Sequence, residues 1–307
     1  VSKAKGKAMN IETKFLKPLF ELRYLVLVAG LAFNSGAQAQ TAFAKPEAAA
    51  DAFIDAVATS DPAALKRVLG NDWAKLMPLG DVSAEDRYTF LEKAHQGRSV
   101  TVKQGLGEML VGTDPWALPI PLAQGKDGQW RFDPKSGRLN VLERRIGANE
   151  HAAIQALLAS VDAQREYAQV DRNGDGVLEY AQRIISTDGK RDGLIWPLNL
   201  GDESPLGEDF LPKKTGEGYH GYRFKLLTAQ GDAAKGGARS YMIGKRLESG
   251  FAMVAWPVRY GDTGVMSFIV NQDGQVFEAD LGPRSARIAP ALTRFNPDQA
   301  WKAAQSN

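Results

Sequence analysis

Five apolar runs of strand length crowd the last third of the chain: Tyr222 to Leu227, Arg239 to Ile243, Phe251 to Val258, Val265 to Asn271 and Gln275 to Leu281. The segments between them, 231–237, 261–264 and Gln272-Asp273-Gly274, are rich in the Gly and Asp that tight reversals need. This alternation predicts a compact antiparallel sheet. Earlier in the chain the period is helical. Ala50, Phe53, Ile54 and Val57 follow Pro46 at helical spacing; Asp61-Pro62 opens a second helix with Leu65, Val68 and Leu69 on one face and Gly70 at its end. Ser83, spaced from Asp86 as in a capping box, predicts a third helix through Tyr88, Phe90 and Leu91 toward Gly97. The period then shortens to that of strands over Ser99 to Gly105, Glu108 to Val111, Ala117 to Leu122 and Gln129 to Asp133, with Lys126-Asp127-Gly128 as a hairpin turn. Pro119 and Pro121 confine the third of these to an edge. A further helix is expected after Asn149, where Ile154, Leu157, Leu158, Val161 and Ala168 lay one apolar stripe on the last sheet.

The expected architecture is therefore α+β: N-terminal helices plus an antiparallel sheet over residues 40–137, then a helix packed on a second antiparallel sheet over 138–307. The first part is similar in element order to cystatin-like and nuclear-transport-factor-like folds, and the second to the globular heads of type IV pilin-like proteins. The pilin likeness is one of topology only, because Gln40-Thr41-Ala42-Phe43-Ala44-Lys45 leads into a polar-faced helix instead of a long apolar one.

Residues 1–39 change the picture of charge and location. Lys14, Lys17 and Arg23 precede a short apolar core, Tyr24 to Phe33, and Ala37-Gln38-Ala39 is an A-x-A cleavage pattern, which together read as a signal peptide with Gln40 as the mature start. The apolar core is about half the roughly 20 residues of a membrane span, so no retained span is expected. Of 38 Lys and Arg and 36 Asp and Glu, six and two fall in this leader, which leaves 32 basic and 34 acidic side chains. A near-neutral chain with no basic stripe makes nucleic acid a poor partner. There is no cysteine, which excludes thiol catalysis, disulfides and thiolate metal sites.

Candidate chemistry is sparse. Asp171, Asn173 and Asp175, with Gly176, match the opening of a calcium loop, but the twelfth position is Gln182, which lacks the closing carboxylate. The preferred reading is a plain Asp/Gly turn; no cofactor is expected, and weak calcium binding is the alternative. Only His95, His151 and His220 are available, and neither H-E-x-x-H, G-x-S-x-G nor a Walker loop occurs. His220, at a strand entrance, is the best placed of the three. The aromatics Trp196, Tyr219, Tyr222, Trp256 and Tyr260 fall near strand starts and turns, with Lys190, Arg191 and Asp192 beside the first. They can line a groove for a peptide, glycan or partner strand, or plug the ends of a sheet as core.

The segments Asp192-Gly193-Leu194-Ile195-Trp196-Pro197, Tyr219-His220-Gly221-Tyr222, Gly250 to Pro257 and Gly264 to Asn271 resemble a family of exported bacterial proteins, domain-of-unknown-function family 2950. The resemblance implies export and brings no activity and no functional residues. Two functions are therefore expected: an exported, non-catalytic periplasmic or envelope-associated module that binds an envelope protein, peptide or glycan, or alternatively a periplasmic hydrolase using carboxylates with His220. They differ in whether one cleft gathers several ionisable groups.

Overall fold

The computed structural model describes residues 40–76, 82–211 and 216–304; the expected leader lies outside them. Four helices open the described chain, α1 (Pro46–Thr59), α2 (Pro62–Leu69), α3 (Trp73–Leu76) and α4 (Ala84–Gln96). Their starts follow local chemistry. Pro46 and Pro62 occupy first-turn positions where the missing N–H costs nothing, and the Asp61 carboxylate accepts from Ala63 N–H. Ser83 and Asp86 form the reciprocal capping box, at 3.0 and 2.9 Å. The single turn α3 is too short for periodicity to reveal.

Five strands follow, β1 (Arg98–Lys103), β2 (Leu106–Val111), β3 (Trp116–Ala117), β4 (Leu122–Gln124) and β5 (Trp130–Phe132), in an antiparallel sheet ordered β1-β2-β4-β5 with β3 also paired to β2. The run Ala117 to Leu122, expected as one strand, is two. Pro119 and Pro121 remove ladder donors, so the chain leaves β2 after Ala117 and rejoins it at Leu122. Phe53, Leu65, Leu69, Met109, Leu122 and Phe132, all buried, join the helices to this sheet in one cluster.

The helix expected after Asn149 begins sixteen residues earlier. α5 (Pro134–Tyr167) spans 34 residues, capped by Asp133, whose carboxylate accepts from Lys135 and Ser136 N–H. Its first half carries Arg138, Glu143, Arg144 and Arg145 and buries only Gly137; Leu139, Leu142 and Ile146 stand there at helical spacing, and none of them is buried. Gly137 lies against β3–β4: an added Cβ would stand 2.9 Å from Ile120 Cγ2. Asn149 is mid-helix, and its side-chain amide donates to Thr263 O at 2.9 Å.

Beyond α5 come a parallel pair, β6 (Arg183–Ile185) and β7 (Gly193–Ile195), and single 3-10 turns at Leu198–Leu200 and Glu208–Phe210. The chain continues through β8 (Tyr222–Leu227), β9 (Ala229–Gln230), β10 (Arg239–Ser240), β11 (Met242–Ile243), β12 (Arg246–Leu247), β13 (Ala252–Pro257), β14 (Ser267–Asn271), β15 (Phe277–Ala279), α6 (Ser285–Ala291), β16 (Arg294–Phe295) and β17 (Lys302–Ala303). The main sheet is antiparallel throughout, ordered β17-β15-β14-β13-β8. The run Arg239 to Ile243 is broken at Tyr241, which is fully buried and donates its hydroxyl to Gln230 Oε1 at 2.9 Å.

Every residue of β13 and β14 is buried, so this sheet is covered on both faces. On one face lie Ala153, Ile154, Leu157 and Val161 of α5. The other is closed by α6 and the small β10-β9-β16 sheet, a layer the sequence pattern does not announce. Lys225 marks that second face: its ammonium donates to the carbonyls of Pro290 and Leu292 at 2.6 and 2.8 Å. A third buried cluster, Ala163, Tyr167, Ala181, Leu194, Ile195, Trp196 and Leu206, sits where the end of α5 meets β6 and β7. The fold is α+β, as the alternation of periods predicts.

Candidate functional site

Strand β8 starts from a tight reversal. Tyr219 and Tyr222 each donate their N–H to the other's carbonyl at 2.9 Å, with His220 (φ 45°) and Gly221 (φ 72°) left-handed between them. The Tyr222 ring is fully buried and its hydroxyl donates to Met266 O at 2.8 Å. Glu150 of α5 locks the same corner, one oxygen accepting from Val265 and Met266 N–H at 2.9 Å each. Glycine permits the closeness: an added Cβ would come within 2.1 Å of Tyr222 Oη at Gly264 and 2.2 Å of Tyr222 O at Gly218. Burial, with the Glu150 charge nearby, pushes the Tyr222 hydroxyl pKa far up. Tyr222 is thus a keystone that sets the start of β8.

The other residues singled out from the sequence separate into distinct places. Trp196 is core, 1% exposed, with Nε1 donating to Asp202 O at 3.0 Å. The guanidinium of Arg172 lies over both its ring and that of Tyr167, at 4.9 and 5.0 Å from the centroids. Arg191 donates to Asp202 at 2.7 Å, and Asp192 accepts from the Thr187 N–H and hydroxyl at 2.7 Å each, so both brace the β6–β7 connection. Burial opposes the Asp192 charge, but the Thr187 bonds outweigh it and hold the pKa below the ordinary value. Tyr260 donates its hydroxyl to Asp280 at 3.1 Å, away from the others. His220 is exposed, with the Tyr219 ring edge-on at 4.5 Å.

What the structure does bring together is a groove of about 640 Å³ along the outer side of β8. Tyr219, Tyr222, Phe224 and Leu226 form one wall, Ile184, Ile185 and Ile195 of the parallel pair another, and Phe210 and Leu211 an end; Trp256 also lines it. Tyr219 stacks on Phe210 with centroids 5.0 Å apart. Among the described residues Arg183, Arg223 and Lys225 are its charged lining, and neither a carboxylate nor a histidine lines it. Arg183 faces Asp192 at 3.5 Å, and Lys225 is held by the two carbonyls of the α6 region. Of the candidates singled out from the sequence, Tyr219, Tyr222 and Trp256 line this groove. Sequence reading missed Phe224 and Leu226, although their alternation along β8 was visible, and missed β6 and β7 because three-residue strands carry no period.

The Asp171 loop folds on its own bonds. Asp171 accepts from Gly174, Asp175 and Gly176 N–H, and Asn173 donates to Glu179 at 2.8 Å. Asp175 is paired with Arg246 at 2.7 Å, which holds its carboxyl below the usual range. Gln182 donates to Lys245 O at 2.9 Å. A cation taking Asp171, Asn173 and Asp175 has to compete with these partners. Among the described residues no three His, Cys, Asp or Glu side chains are grouped to hold a metal.

Fold and groove together define an α+β protein with a largely apolar furrow along β8, at a sheet edge. The chain belongs to the family described as protein of unknown function (DUF2950), which it matches over residues 40–304. No curated protein and no solved structure matches it, so the pilin-head likeness rests on element order alone. Among the described residues no helix is long and apolar enough to cross a membrane.

Proposed function

We propose that the protein is an exported, non-catalytic binding module whose ligand lies in the groove along β8. The observation that carries this reading is the composition of the wall: isoleucine, leucine and aromatic side chains with Gln182, Arg183, Arg223 and Lys225, and among the described residues no carboxylate or histidine to act as general acid or base. Export rests on the leader pattern of residues 1–39. The hydrolase alternative needs carboxylates beside His220, and this histidine stands outside the groove, edge-on to the Tyr219 ring.

The test uses affinity capture from cell-envelope extract with the wild-type chain, Phe224→Asp and His220→Ala. A ligand retained by wild type and His220→Ala but lost from folded Phe224→Asp supports the reading. Hydrolytic turnover that disappears in His220→Ala overturns it, as does capture indifferent to Phe224→Asp.

A further inference from the structure

The register of β8 decides which of its main-chain groups are already used. Val258 N–H donates to Gly221 O at 2.9 Å, and from there Arg223, Lys225 and Leu227 stand opposite Trp256, Val254 and Ala252. Hydrogen-bonded pairs alternate along an antiparallel ladder. Arg223, Lys225 and Leu227 therefore turn their N–H and C=O toward β13, and Tyr222, Phe224 and Leu226 turn theirs outward. Tyr219 takes both groups of Tyr222. β8 is the last strand of its sheet, and among the described residues no strand pairs with Phe224 or Leu226 on that side. Phe224 and Leu226 line the groove, as do Ile184 and Ile185.

We infer that the groove takes an extended polypeptide segment, which adds to β8 as a sixth strand by pairing with the main chain of Phe224 and Leu226; this deepens the binding reading above and rests on it. Free edge amides provide affinity without regard to side chains, and the apolar wall then selects alternate side chains of the incoming strand. Charge narrows the choice. Arg223 is exposed and makes no ion pair among the described residues, Arg183 also lines the groove but faces Asp192 at 3.5 Å, and among the described residues no acidic side chain lines it. The complementary segment alternates apolar residues with Asp or Glu. A second copy of this chain, paired β8 to β8, brings the two Arg223 side chains and the two Arg183 side chains to one interface, which like-charge repulsion opposes.

A random linear peptide library displayed on phage, panned against the folded protein, supplies the probe, and the enriched peptide is synthesised and titrated by fluorescence polarisation. The expected sequences alternate apolar residues with Asp or Glu. N-methylation of two alternate amides in the peptide is expected to weaken binding at least about tenfold, and Arg223→Glu to do the same, while Arg223→Lys stays within about threefold. Leu226→Asp is expected to abolish binding; Leu226→Ser replaces it if circular dichroism shows that the aspartate unfolds the chain. Peptides indifferent to N-methylation or to Arg223→Glu overturn the inference. Oligosaccharide fragments of the envelope that bind wild type and not Phe224→Asp overturn it too, but leave the groove as the site. A concentration-dependent dimer in sedimentation, lost in Leu226→Asp, points to a second copy and likewise overturns it. No binding by peptide or oligosaccharide removes both readings.

Discussion

Tyr222 carries more structural consequence than any other residue singled out from the sequence. The motif Tyr219-His220-Gly221-Tyr222 was legible as a turn, but an aromatic beside a turn is equally consistent with an exposed platform and with a buried plug. The glycines distinguish the two. With 2.1 Å between Tyr222 Oη and a Cβ at Gly264, Gly264→Ala is expected to cost about 2 to 3 kcal/mol through overpacking. Urea denaturation should show a lower midpoint at unchanged slope; a loss under about 0.5 kcal/mol contradicts the packing. Tyr222 also dictates an alkaline dependence. Its folded pKa is raised above the ordinary 10.0, first by burial and then by Glu150, so the unfolded state loses the proton more readily. The associated stability is complete below about pH 10 and falls as pH rises above it. Tyr167, pushed up to about 12 by burial and by Glu179, contributes over the interval from 10 to about 12. Denaturation from pH 8 to 11.5 should therefore show a decline that is shallower in Tyr222→Phe. An equal decline in both chains counts against a desolvated hydroxyl.

At the level of elements, what was legible depended on period and on caps. The capping box of α4 and the Asp61-Pro62 start of α2 are local chemistry and read directly from the residues. The start of α5 was missed although Asp133-Pro134 repeats the Asp61-Pro62 signal and Leu139, Leu142 and Ile146 follow at helical spacing; the stronger stripe after Asn149 drew the boundary instead. Strands β13 and β14 read as strands but not as doubly covered, since a continuous apolar run says nothing about which element supplies the second face. The Asp171 loop illustrates the opposite case, a motif whose letters were clear and whose partner, Arg246, lies 71 residues away in β12. With Asp175 paired to Arg246 and Asp171 accepting three main-chain N–H groups, melting curves in chelator and in millimolar calcium are expected to coincide. A calcium-dependent rise in Tm that vanishes in Asp171→Ala contradicts this.

Over the whole molecule, two of the three buried clusters draw on the second half of α5, Ala153 to Val161 in one and Ala163 and Tyr167 in the other, and the groove opens where the latter cluster approaches the edge of the main sheet. This juxtaposition was not legible. β6, β7 and the 3-10 turn at Glu208–Phe210 are short, and nothing in their spacing says that they face β8. Two statements about the whole chain now stand as proposals, the division near residue 137 and the removal of residues 1–39. Cleavage after Ala39 predicts that protein recovered from the periplasm begins at Gln40, whose side-chain amide donates to Val68 and Phe132 carbonyls at 3.0 and 2.8 Å. N-terminal sequencing checks it, and a dominant intact leader contradicts it.

The central claim is that β8 offers a free edge to the groove, and amide hydrogen exchange tests it most directly. In the chain alone, the Phe224 and Leu226 amides are expected to exchange fast while Arg223, Lys225 and Leu227, bonded to β13, are protected. Adding the selected peptide should slow Phe224 and Leu226 at least about tenfold and leave their neighbours unchanged. Phe224 and Leu226 amides as well protected in the free chain as those of Arg223 and Lys225 would show that the edge is already closed and contradict the account.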